Sequence, residues 1–219
     1  METTTTTAVS VRPLLRGWTH LVSFPLMVGF GTIAIIAATP AHGRLLMGVY
    51  VAGTAVMFGV SALYHRVRWQ PRAKALMQKF DHSAIYLAIA GGYTPVAYVC
   101  LEGWWRVGML LAAWVGAVAG IVIHWLPNVP GAAKGASYIL LGWVAVLAAP
   151  QMNGVLGTTG IVLMLAGGVA YTLGALCLAT HRPDPWPSVF GYHEVFHAFT
   201  VIAAVLQFVG IAYTVVPEF

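Results

Sequence analysis

The sequence predicts an all-α integral membrane bundle of seven transmembrane helices, and three observations lead there. Of the 219 residues, 59% are hydrophobic and only 8% are charged, against about 25% charged in a soluble domain, so the chain cannot clothe a water-facing surface. The apolar residues fall into seven runs, most of them near the roughly 20 residues that a hydrocarbon core of about 30 Å requires. Within each run they are continuous rather than alternating, which is the pattern of spanning helices and not of a β-barrel.

Residues 1 to about 16 are polar and threonine-rich and form an expected disordered tail; residues 17–219 form the transmembrane domain. The tail has no signal-peptide layout, so the first apolar run is expected to remain as a helix. The expected spans are Trp18–Ala38, Leu45–Tyr64, His82–Leu101, Val107–Trp125, Gly135–Ala149, Gly157–Thr180 and His193–Val216. Between them stand Pro40 to Gly43, the basic stretch Arg66 to Lys79, Glu102-Gly103, Pro127 to Gly131, Pro150 to Gly154, and Arg182 to Pro185. Only the Arg66–Lys79 connection is expected to be long. Pro95 is expected to kink the third span, and Gly116-x-x-x-Gly120 in the fourth lets a neighbouring helix approach closely. Cys100 and Cys177 are expected at opposite ends of the bundle, too far apart to pair.

Charge sets the expected orientation. Of the eleven Lys and Arg residues, Arg12, Arg16, Arg66, Arg68, Arg72, Lys74, Lys79, Lys134 and Arg182 share one side; Arg44 and Arg106 take the other. The positive-inside rule then makes the N-terminus cytoplasmic and the C-terminus external. The net charge of +5 is spread over loops rather than gathered in a stripe, so nucleic acid is not an expected partner; membrane lipid is.

The ionisable residues converge. His65 closes the second span, Asp81 opens the third, and His193 and His197 open the seventh, all at the basic face. His193 and His197, four residues apart, project from one helix face, and ionisable groups inside a membrane are costly and rarely idle. Ser61 lies one turn before His65. Three imidazoles plus a water make an open zinc site, and bound zinc lowers the pKa of its water toward about 7. Asp81 suits the holding or deprotonation of that water better than a fourth ligand position. A lone histidine near a membrane interface is more often a packing residue, and His20 and His124 are read in that way; His82 points about 100° away from Asp81 on a helix. His193-Glu194-x-x-His197 also matches the zinc-protease pattern, in which Glu194 would be a general base; alternatively Glu194 only stabilises a helix start.

In combination, Ser61-Ala-Leu-Tyr-His65, Asp81-His82-Ser83, Gly91-Gly92-Tyr93-Thr94-Pro95 and His193-Glu-Val-Phe-His197, with Arg16-Gly17-x-x-His20, resemble the bacterial hemolysin III group of the progestin and adipoQ receptor family. That resemblance covers nearly the whole chain after the tail. It implies a multi-pass protein of the bacterial plasma membrane with zinc held by His65, His193 and His197 near the cytoplasmic leaflet, Asp81 on the zinc-bound water and Ser61 beside it. It also implies a metal-dependent hydrolase acting on a lipid amide or ester, since the adiponectin-receptor branch is linked to ceramide hydrolysis. The alternatives are a non-enzymatic membrane-state sensor with structural zinc, and a pore-forming cytolysin; no span carries the continuous polar stripe of a pore.

Overall fold

The computed structural model describes residues 12–219; most of the expected N-terminal tail, residues 1–11, lies outside the described residues. The described chain is helical, with no strand beyond one isolated bridge between Trp186 and Phe190. Its helices are α1 (Trp18–Ala37), α2 (Ala41–Arg66), α3 (Pro71–Cys100), α4 (Gly103–Trp125), α5 (Gly131–Trp143), α6 (Ala149–Thr180) and α7 (Tyr192–Thr214), with a 3-10 turn at Val144–Ala148 joining α5 to α6. Six segments are long and apolar enough to cross a membrane, the fifth being the whole stretch Gly131–Thr180. Together with the composition they mark a multi-pass integral membrane protein.

That fifth segment has 50 residues, about 75 Å if it were one straight helix, and it folds back instead. Its start meets α3 and α4, where the Tyr138 ring lies 4.6 Å from that of Tyr86. Near its middle, Gly160 packs on Thr214 at the end of α7. At its close, Gly174 packs on Phe196 and Phe199 near the start of α7. The reversal falls at Gly157, whose φ of 58° and ψ of −177° only glycine adopts freely. The sequence reading had a loop at Pro150–Gly154; those residues are helical, because proline at a first helical turn starts a helix rather than ending one.

Two other boundaries differ. α3 begins at Pro71, so the basic stretch expected as a long connection is mostly the first turns of a helix, and Val67–Gln70 alone link α2 to α3. Arg72, Lys74 and Lys79 carry no apolar signal, yet they are good helix formers. The longer connection is 181–191, between α6 and α7. The two ends of the described chain lie at opposite ends of the bundle: Leu14 and Leu15 donate backbone hydrogen bonds to Ser188 and Val189 before α7, whereas Phe219 meets His42 at the start of α2.

Small residues let the helices close up. A Cβ on Gly53 of α2 would sit 2.6 Å from the Leu87 carbonyl oxygen of α3, so α2 and α3 touch through backbone, as membrane helices do where the usual hydrophobic drive is missing. Both glycines of the α4 motif serve internal packing: Gly116 lies against Leu141 of α5 and Gly120 against the fully buried ring of Tyr86. Replacing Gly120 with Val is therefore expected to cost about 1–3 kcal/mol through overpacking. Gly108→Ala, where nothing lies within 4 Å of the added atom, should leave thermal unfolding in detergent nearly unchanged and serves as the control. Cys100 and Cys177 are free.

α5 gives up its regular ladder at Trp143, and Tyr93 of α3 repairs the gap. Its hydroxyl donates to the Leu141 carbonyl at 2.8 Å and accepts from the Ala145 N–H at 2.8 Å. Backbone groups that would be orphaned in hydrocarbon are thereby satisfied by a side chain of the neighbouring helix.

Candidate metal centre

Three helices build the site: the close of α2, α3 at Asp81 nearly three turns from its start, and the start of α7. The start of α7 is fixed by two carboxylates. Asp184 Oδ1 accepts the Tyr192 N–H at 2.9 Å, and Glu194 Oε2 reaches back to the Gly191 N–H at 2.9 Å, each satisfying a donor that a helix start leaves open. With that turn fixed, His193 and His197 face His65 of α2. One candidate ligand atom from each of the three lies within 4.8 Å of the others, with His65 and His197 buried and His193 half-buried.

The geometry fits a metal ion. His65 Nε2 and His193 Nε2 are 3.3 Å apart. A tetrahedral ion with bonds of about 2.0–2.1 Å spaces its ligand nitrogens by about 3.3–3.4 Å. The ring centroids of His65 and His193 lie 4.8 Å apart, those of His65 and His197 4.9 Å, and those of His193 and His197 4.7 Å, so each imidazole packs against the other two. His197 Nδ1 is buried and has no hydrogen-bond partner among the described residues. The group can hold a metal ion by its chemistry, since neutral imidazole is a ligand for zinc and for several other first-row metals.

The site opens onto a cavity of about 1120 Å³. His193, His197, Asp81 and Ser61 line it; His65 lies behind the wall. Asp81 of α3 and Ser61 of α2 line the cavity together, and Asp81 is not part of the three-histidine group. Away from this polar end the lining turns apolar, through Met57, Ile85, Ile89 and Met164 to Leu156 and Ile211 near the far end of the bundle. The 100° separation of His82 from Asp81 sends His82 to another partner: its ring lies 4.6 Å from that of His124, and the Tyr138 hydroxyl stands 3.1 Å from the His124 ring nitrogens. Asp81 and His82 thus serve two polar clusters on the wall of one cavity.

Glu194 is not free to be a general base. It is 1% exposed, and one carboxylate oxygen pairs with Arg16 while the other accepts the Gly191 N–H. The protease pattern is present in letters but not in function-bearing geometry. Sequence reasoning missed the Arg16–Glu194 pair and the stacking of His20 on His197, whose rings are parallel within 1° at 3.9 Å. The only sequence signal for either was the Arg16-Gly17-x-x-His20 segment. Residues 12–16, assigned to the tail from sequence, are therefore docked on the site. Arg12 stands in the same basic neighbourhood, its guanidinium held below the usual value first by partial burial and then by the charges of Arg66, Arg16 and Arg68.

The family model described as Haemolysin-III related matches residues 9–208. The chain is 29% identical to Hemolysin-3 of Bacillus cereus over 210 residues, covering 93% of this chain and 90% of that protein. It is 26% identical to the Hemolysin-3 homolog of Bacillus subtilis (strain 168) over 192 residues, covering 86% and 85%. It is also 23% identical to the Adiponectin receptor protein of Drosophila melanogaster over 216 residues, covering 89% of this chain and 49% of that protein.

Proposed function

The chain belongs to the haemolysin-III related family, and on that footing we propose that it is a zinc-dependent membrane hydrolase of a lipid amide or ester. The observation that carries this reading is the three-histidine group beside Asp81 and Ser61 at the polar end of a long, largely apolar cavity. His65, His193 and His197 hold the zinc. When bound, zinc polarises a carbonyl and brings a water to the edge of ionisation near neutral pH.

The remaining roles fall to this chain's own side chains. Asp81 takes the proton of the attacking water as its oxygen bonds to the carbonyl carbon. Ser61 donates a hydrogen bond where negative charge develops on oxygen. As the carbon–nitrogen or carbon–oxygen bond breaks, Asp81 returns the proton to the leaving amine or alcohol, so that a fatty acid and an amine or alcohol result. The apolar stretch toward Leu156 and Ile211 receives the acyl chain. The bundle crosses the membrane seven times, with Gly131–Leu156 and the rest of α6 as separate crossings. The basic end, with the N-terminus, faces the cytoplasm by the positive-inside rule, and the membrane is the bacterial plasma membrane.

The test is fatty-acid release by zinc-loaded, detergent-purified protein from a panel of ceramides, acyl amides and glycerol esters. Release from at least one class, abolished by a chelator and restored by zinc, is the expected result. No release from any class, with a control hydrolase active in the same micelles, sinks the reading. A second reading has an observation of its own: the histidines tie α2 to α7, so zinc can serve as a structural clasp in a protein that senses membrane state.

A further inference from the structure

We infer that residues Leu14–His20 form a clasp whose docking sets the metal affinity of the histidine group, with Arg16 and His20 as positioning residues; this rests on the reading that those histidines hold zinc. The segment touches His65 and His197 and, through Glu194, the turn that carries His193. Gly17 adopts φ +79° and lies so close to α2 that a Cβ there would stand 2.6 Å from His65 Cβ. Arg16 pairs with the buried Glu194, the residue that follows His193 and fixes the first turn of α7 through the Gly191 N–H. His20 lays its ring flat on His197. The backbone of Leu14 and Leu15 anchors the segment to Ser188 and Val189, at 3.0 Å each.

The His20–His197 contact carries the most. A metal-binding histidine is ordinarily oriented by a hydrogen bond from its second ring nitrogen to a carboxylate, carbonyl or water. Among the described residues, His197 Nδ1 and both nitrogens of His20 are buried without a hydrogen-bond partner, so these rings are held by packing and not by hydrogen bonds at those atoms. Orientation of His197 therefore falls to the parallel face of His20 and to Phe58, which meets the His20 ring edge-on at 5.1 Å. Within α7, Phe196 meets the His197 ring only edge-on, with centroids 5.5 Å apart, so the parallel face comes from His20.

The experiment is a zinc titration of full-length protein in detergent against a competing chelating dye, with the unfolding temperature of the metal-free protein measured in parallel. The variants are His20→Ala, His20→Phe and the double change Arg16→Met with Glu194→Gln. The double change avoids leaving a buried carboxylate unpaired, which would itself threaten folding, while Gln still accepts the Gly191 N–H. The expected result is an unchanged stoichiometry of about one zinc, with the dissociation constant raised about 10–100-fold in His20→Ala and in the double variant. His20→Phe keeps the aromatic face and should recover most of the affinity. An unchanged dissociation constant in His20→Ala and the double variant, with only the unfolding temperature lowered, overturns the clasp and leaves the zinc reading intact. His20→Phe as weak as His20→Ala overturns the stacking role. No zinc bound by the wild-type protein overturns both readings together.

Discussion

His193→Ala is expected to strip the protein of metal, from about one zinc per chain to nearly none after purification. His193 Nε2 and His65 Nε2 stand at ligand spacing, so the substitution removes one of only three imidazoles. Structural zinc binding is worth about 10–16 kcal/mol in all; shared among four ligands, one histidine carries about 3 kcal/mol, or more than about a hundredfold in affinity. Elemental analysis of wild type and variant decides it. If well-folded wild type holds no metal after zinc is added back, the histidine cluster is a packing feature, and the hydrolase and clasp readings fall together.

Asp81→Asn is expected to give the opposite pattern: metal retained, activity lost. The Asp81 carboxyl lies outside the three-histidine group yet lines the same cavity. Asparagine keeps the size of the side chain but cannot take a proton. Loss of a general base costs about 10²–10⁴-fold in rate, to be read as fatty-acid release at equal zinc content and equal thermal stability. If zinc is structural, Asp81→Asn leaves function almost untouched, while removal of His65 loosens the hold between α2 and α7. The pair of variants thus separates enzyme from clasp without knowledge of the natural substrate.

The parts of this protein that could be read from sequence are those written in local periodicity. The apolar runs mark the helices because a continuously apolar segment in hydrocarbon satisfies its own backbone only as a helix. His193 and His197 reveal their shared face through spacing alone. His65 and Asp81 were legible because each sits where a run ends, so that parity of crossings brings them to one end of the bundle. What escaped depends on contacts between distant residues. Arg16 and Glu194 are 178 positions apart, and a glutamate between two histidines reads as a catalytic base until its carboxylate is seen to be occupied. His20 gave no sign of its partner, because stacking leaves no mark on spacing. The reversal at Gly157 was missed because Pro150 and Gly154 look like stronger breaks, although one begins a helix and the other is tolerated within it.

The docking of the first residues on the last helix has a consequence for how the protein is made. Arg16 and His20 leave the ribosome early, but Glu194 and His197, the groups they meet, are among the last to follow. Until then His20 has no face to cover and Arg16 no carboxylate, and His65 stands alone of its group. The site therefore cannot close until the last helix has been made. A nascent chain interrupted before α7 holds only one of the three clustered histidines.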